Sequence, residues 1–175
     1  MFSSSAFKPA WWLTNPHLQT IAPKYFRKNL NIKFVKQTLE TPDNDFIDLA
    51  WTELPTLSNK PIVLLLHGLE GSIDSHYAKG MMSAIKNSGW IGLLMHFRGC
   101  SGRPNRKAPS YHSGQTADVA FLVNHLDQIL TGRLQAAIGF SLGGNVLTKY
   151  LAESPKSPIK AAAIVCAPLH LASCS

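Results

Sequence analysis

From residue 61 onward, short apolar runs alternate with longer stretches in which apolar positions recur every three or four residues. The runs are PIVLLLHG (61–68), WIGLLMHF (90–97), LQAAIGF (134–140) and AAAIVCA (161–167). Runs this short and this uniformly apolar are expected of parallel strands covered by helices on both faces. The periodic stretches between them predict helices around His76 to Asn87 closed by Gly89, from about Ser113 to Leu130 closed by Gly132, and after Ser141 through about Glu153. The second helix has an apolar stripe of Val119, Leu122, Val123, Leu126 and Ile129. Before residue 60 the pattern is of another kind. IKFVKQTLETPDNDFIDLAWTEL (32–54) reads as two extended segments around a Pro-Asp-Asn-Asp turn, the second alternating Ile47, Leu49 and Trp51 with Asp48, Ala50 and Thr52. This predicts an antiparallel hairpin.

The expected architecture is α/β, a doubly wound and mostly parallel sheet with an antiparallel N-terminal edge. Residues 1–60 supply an N-terminal extension and the hairpin, and residues 61–175 supply the α/β core.

Composition narrows the function classes. With 45% hydrophobic and 15% charged residues, the 175-residue chain has enough apolar side chains for one buried core, so disorder is not expected. No apolar run approaches the roughly eighteen residues that span a bilayer, and the N-terminus lacks a secretory pattern. A cytoplasmic location without stable membrane insertion is the expectation. Cys100, Cys166 and Cys174 match neither a disulfide framework nor a metal-ligand spacing, and Cys166, inside an apolar run, is expected to be a buried thiol. The net charge of +7 raises the question of nucleic acid, but the densest basic groups, KYFRK (24–28) and RPNRK (103–107), are short and loop-like. A solvated basic face is the simpler reading, and no nucleic-acid partner is expected.

The chemistry centres on GFSLGG (139–144). A G-x-S-x-G pattern arises by chance in roughly one chain in twenty of this length, so its setting has to decide. Here the strand LQAAIGF runs into Ser141 and the helix LGGNVLTKYLAE starts directly after it, the strand, sharp turn and helix of a nucleophile elbow. Gly139 and Gly143 would let strand and helix approach closely, and the helix N-terminus offers free amides and a partial positive charge where an oxyanion would form. The alternative is a small serine in a tight turn. HGLEGS (67–72) also ends a predicted strand, and its loop would aim the Leu69 N–H at the same point as the Leu142 N–H, a two-donor oxyanion hole. In the plainer reading His67 and Gly68 merely end a strand, with His67 bonded to backbone.

NPHLQT (15–20), HGLEGS, HFRGCSG (96–102) and GFSLGGN (139–145) together resemble the YheT-like branch of the α/β-hydrolase superfamily, the AB hydrolase 4 family, over essentially the whole chain. The resemblance implies a serine esterase acting on small-molecule carboxylic esters, short- to medium-chain or acylglycerol, with no cofactor and no metal. It implies Ser141 as nucleophile, Leu69 and Leu142 as oxyanion donors, and HFRGCSG with YHSGQTADV (111–119) as the loop and helix around the site.

The chain departs from the family pattern after Ser141. In this fold the triad acid and then the histidine follow the nucleophile along the chain. Every aspartate here, Asp43, Asp45, Asp48, Asp74, Asp118 and Asp127, precedes Ser141, and beyond it stand only Glu153 and His170. Neither is where a triad needs it, so the acid and the base are not expected within these residues, and the core is expected to be incomplete at its C-terminal side. A rearranged triad of Ser141, His96 and Asp118 is disfavoured by the fold's own order, with His112 a further histidine near the mouth of the site. Asp118 is expected to charge the first turn of its helix or to pair with Arg98, and Arg98 to support the oxyanion loop. The readings left open are an esterase impaired in this form, a non-catalytic remnant and an acyl-ligand-binding module. An uncovered sheet edge would expose the chain to self-association.

Overall fold

The computed structural model describes residues 8–26, 30–107 and 111–170. The chain divides into two units, residues 1–30 and residues 31–175. In the first, helix α1 (Pro16–Phe26) begins directly after Asn15. The Asn15 side-chain oxygen accepts the amides of His17 and Leu18 at 2.9 and 3.3 Å, and Pro16 fills the first helical position, where a missing N–H costs nothing.

The second unit is a six-stranded sheet with helices on both faces. Its strands are β1 (Val35–Glu40), β2 (Phe46–Trp51), β3 (Ile62–Leu66), β4 (Ile91–Met95), β5 (Leu134–Phe140) and β6 (Ala161–Val165), and its helices are α2 (His76–Asn87), α3 (Ala117–Ile129) and α4 (Leu142–Glu153). The spatial order is β1-β2-β4-β3-β5-β6. The first two pairings are antiparallel, and the β4-β3-β5-β6 part is parallel. The hairpin turns through residues 41–45, with Asn44 at φ 62°. Its second strand pairs with β4, so it is continuous with the core sheet although the chain changes character near residue 60.

Strand periodicity sorts the core. Ile62, Leu64 and Leu66 pack with Val119, Leu122, Val123 and Leu126 of α3 and with Val146, Leu147 and Tyr150 of α4. The intervening Val63 and Leu65 pack with Ala78, Met82 and Ile85 of α2 on the other face. An all-apolar strand is therefore two alternating half-strands, each serving a different layer.

Two expectations are corrected. The second core helix starts at Ala117 rather than about Ser113, because residues 112–115 form a turn in which the Gln115 amide bonds the His112 carbonyl and the Gly114 amide bonds His112 Nδ1. Cys166 is exposed rather than buried, because it follows β6, four of whose five residues are themselves exposed. Cys100 is half-buried, and Cys174 lies outside the described residues.

Candidate active site

The loops after β3, β4 and β5 meet at one end of the parallel strands. Ser141 links β5 to α4 with φ 50° and ψ −117°, a left-handed backbone that a non-glycine residue holds only where the surroundings impose it. They do so here through close packing. A Cβ on Gly143 would lie 2.4 Å from the His67 carbonyl oxygen and 2.6 Å from that of Leu66, and one on Gly139 would lie 2.5 Å from the Gly143 oxygen. Glycine at these positions is what allows α4 to begin against the end of β3. The Ser141 amide donates to the Val165 carbonyl at 2.8 Å, which ties the turn to β6. Its side chain is exposed, and its hydroxyl meets no hydrogen-bond partner among the described residues.

The loop after β3 lies against this turn. A Cβ on Gly68 would be 3.3 Å from the Ser141 Cβ and 3.5 Å from the Phe140 oxygen. The Gly68 amide donates to the Tyr77 hydroxyl at 2.8 Å, the Glu70 amide to the Tyr111 hydroxyl at 2.6 Å, and the Gly71 amide to the Gly68 carbonyl at 3.0 Å. Leu69, 68% exposed, lies between, and its amide has no partner among the described residues. The Leu142 amide, at the first position of α4, is likewise unpartnered among them, as a helix N-terminus requires. Amides unpartnered among the described residues thus occur on the loop after β3 and at the start of α4, the two segments that pack at the Ser141 turn. Backbone N–H groups are the kind of donor suited to a carbonyl oxygen gaining negative charge.

His67 is fully buried and is held in one tautomer. The Phe97 amide donates to its Nε2 at 3.0 Å, so Nδ1 carries the proton and faces the Gly68 carbonyl at 2.7 Å. Burial pushes its pKa down to about 4, so the ring is neutral and structural. His96 is used similarly: Ile73 donates to Nε2 at 3.2 Å, and Nδ1 faces the Asp48 carbonyl at 3.1 Å. Burial lowers its pKa also.

Arg98 forms a bidentate pair with Asp118, at 2.8 Å from Nε and 2.7 Å from Nη2. Its Nη1 reaches Asp43 at 2.6 Å and Asp45 at 3.2 Å. Hydrogen bonds to Asp118 and Asp43 raise the Arg98 pKa further, and the guanidinium holds the Asp43 carboxyl far below the usual carboxylate range. The β4 loop, the hairpin turn and the first turn of α3 are thereby joined at a nearly buried cation.

These bonds settle where the candidate residues go. The loop that carries Leu69 packs through Gly68 against the turn that joins Ser141 to Leu142, while His96 and Asp118 bond other groups and form no triad with Ser141. His112 caps its own turn, Glu153 pairs with Lys149 and Thr116, and His170 lies in the bends after β6. Among the described residues no group of His, Cys, Asp and Glu side chains is arranged to hold a metal ion, and no helix is long and apolar enough to cross a membrane.

Residue reading by itself missed Tyr77 and Tyr111. Tyr111 stacks on Phe97 with ring centres 5.2 Å apart, and Tyr77 lies on Phe140 at 4.6 Å. Burial and a hydrogen bond with Cys100 push the Tyr111 pKa up to about 12, so its hydroxyl stays protonated. A tyrosine three residues before a glycine, as both are, carries no sequence signal for such a role. An apolar trough of about 510 Å³ lies between α2 and strands β5 and β6, with Met81, Ile85, Trp90, Ile138 and Ala162 on its walls. Neither Ser141 nor the two amide-bearing leucines line it.

Residues 61–174 match the family described as alpha/beta hydrolase fold. YheT of Escherichia coli (strain K12) is 48% identical over 99% of this chain and 52% of its own length. Phospholipase ABHD3 of Bos taurus is 25% identical over 98% of this chain and 44% of its own. The chain thus spans about half the length of these curated relatives. Among solved structures, the Pyrococcus furiosus esterase Pf2001 has the same fold, with a TM-score of 0.65 at 20% identity, covering 95% of this chain and 60% of that one.

Proposed function

The chain belongs to the YheT-like branch of the alpha/beta hydrolase family, and from that premise we propose that Ser141 is the nucleophile of a serine carboxylic-ester hydrolase. The observation that carries this reading is the left-handed backbone of Ser141, held by glycine-only contacts at Gly139 and Gly143 and facing the loop of Leu69. Backbone held in such a sparsely populated region by its surroundings is found in concentration at functional sites, which supports the reading.

In the proposed reaction Ser141 Oγ attacks the acyl carbon, and the carbonyl oxygen takes up negative charge between the Leu69 and Leu142 N–H groups. The C–O bond to the alcohol then breaks, the alcohol leaves with a proton, and water later hydrolyses the acyl-serine. Each donor in such a hole typically contributes about 3 kcal/mol to the transition state. The substrate class we favour is a short- to medium-chain or acylglycerol ester. It is consistent with the name phospholipase borne by one relative, because phospholipids are also acyl esters.

Among the described residues neither an imidazole nor a carboxylate meets the Ser141 hydroxyl. The 175-residue chain is therefore expected to react at Ser141 slowly, because removal of triad members lowers turnover by orders of magnitude while leaving a residual rate from the oxyanion hole. A fluorophosphonate tests this: Ser141 Oγ bonds to phosphorus and fluoride leaves. Slow labelling that disappears in Ser141→Ala is the expected result. Labelling that persists in Ser141→Ala, or no labelling after prolonged exposure, overturns the assignment. A non-catalytic acyl-binding module is the second reading, favoured by the unpartnered Ser141 hydroxyl, and it predicts the last of these outcomes.

A further inference from the structure

Three consecutive amides run along the loop after β3, at Gly68, Leu69 and Glu70. The outer two are each taken by a phenol oxygen, Tyr77 at 2.8 Å and Tyr111 at 2.6 Å. The middle one is unpartnered among the described residues. Building on the reading of Ser141 as nucleophile, we propose that Tyr77 and Tyr111 are positioning residues that fix Leu69 N–H as the loop's oxyanion donor.

The two tyrosines come from separate parts of the chain, and each is anchored to a different side of the site. Tyr77, in the first turn of α2, lies on Phe140, the residue immediately before Ser141. Its hydroxyl therefore registers the loop against the turn that carries the nucleophile. Tyr111 precedes α3 and stacks nearly parallel on Phe97, the residue whose amide donates to His67 Nε2. Its hydroxyl registers the same loop against the end of β4.

A loop with glycine at positions 68 and 71 has several conformations open to it, so the direction of its amides has to be fixed by contacts from outside the loop. Glu70 sits at φ 53°, a conformation a glutamate holds only when something retains it, and the bond from its amide to Tyr111 is such a restraint. Phenol oxygens suit the task. Each accepts from one amide without bringing a charge next to the oxyanion, whereas a carboxylate at either position would repel it.

Tyrosine-to-phenylalanine substitution separates positioning from packing, because it keeps the stacked ring and deletes only the oxygen. Fluorophosphonate labelling of Ser141 is followed as rate against reagent concentration in the wild type, Tyr77→Phe and Tyr111→Phe, with amide hydrogen exchange resolved by residue. The expected result is a maximal labelling rate roughly tenfold lower in each variant, less than the full loss of a donor would give, with the half-saturating concentration unchanged. The Gly68 amide loses protection in Tyr77→Phe and the Glu70 amide in Tyr111→Phe, while Leu69 exchanges rapidly throughout. Purely structural tyrosines would lower melting temperature without changing the labelling rate of the folded fraction, which overturns the proposal. Gly68 and Glu70 amides that exchange as fast in the wild type as in the variants also overturn it. If wild-type labelling is independent of Ser141 while the exchange pattern holds, the nucleophile assignment fails and the tyrosine-held loop survives.

Discussion

Strands β3 and β6 flank β5 on its two sides, each five residues long, apolar and parallel to it. All of β3 is buried, whereas four of the five β6 residues are exposed and Ile164 keeps 39% of its surface. Their own residues do not explain the contrast. β3 has a strand on each side and a helical layer on each face, while β6, among the described residues, pairs only with β5 and borders an open apolar trough. Burial belongs to the neighbourhood rather than to the strand. The end of β3 is fixed by His67, Tyr77, Tyr111 and the packing of Gly143, whereas the end of β6 leads to an exposed Cys166.

The contrast is most severely tested at Gly143. An alanine Cβ there would meet backbone carbonyls of the β3 end at 2.4 and 2.6 Å, and backbone at the centre of a sheet has nowhere to move. Gly143→Ala is expected to lose cooperative thermal unfolding or at least about 3 kcal/mol. Gly80→Ala, in α2, is expected to be neutral or to stabilise by up to about 1 kcal/mol, because a Cβ there meets nothing within 4 Å. A tolerated Gly143→Ala would mean that the β3 end is not the tightly determined region described.

The next effect is smaller and depends on pH. The pKa of His67 is about 4 in the folded chain, below its ordinary value of 6.5. As pH falls through that interval the unfolded chain takes up the proton first, so stability is complete above about 6.5 and is lost progressively toward 4. The loss is about 3 kcal/mol for His67, and His96 shifts in the same direction. Asp43 and Asp45 have carboxyls depressed below 3.8, so their contributions are lost only at lower pH and lie outside this window. Urea unfolding between pH 7 and 4 checks this, and His67→Gln should flatten the curve. An unchanged slope would remove His67 from the account.

The smallest change in stability is expected at the open edge. Ile164→Lys should alter unfolding free energy by about 0.5 kcal/mol or less while reducing concentration-dependent association in sedimentation. If association is the same in wild type and variant, the β6 edge is not the surface through which copies meet.

Much of the fold was legible because its elements are local. The hairpin turn at residues 41–45, helices α2 and α4, and the four apolar strands follow from periodicity and from turn residues that act over a few positions. The setting of Ser141 between a strand and a helix was legible for the same reason. The start of α3 was misplaced because a histidine side chain bonding a nearby amide can hold a turn within a helix-compatible sequence. The burial of Cys166 was misjudged because an apolar run reports its own composition and not the presence of a cover.

By itself the sequence determined an α/β sheet with an antiparallel hairpin, the strand-turn-helix around Ser141, and the pairing of glycines that this turn needs. Tertiary structure decided which groups meet there. Arg98 gathers Asp43, Asp45 and Asp118 from positions 20 to 55 residues away, Tyr111 reaches an amide 41 residues away, and His67 and His96 bond backbone instead of Ser141. The reason is physical. Turns and periodicity are set by torsions and contacts within a few residues, whereas a hydrogen bond between distant segments exists only once the sheet order has brought their ends to the same place.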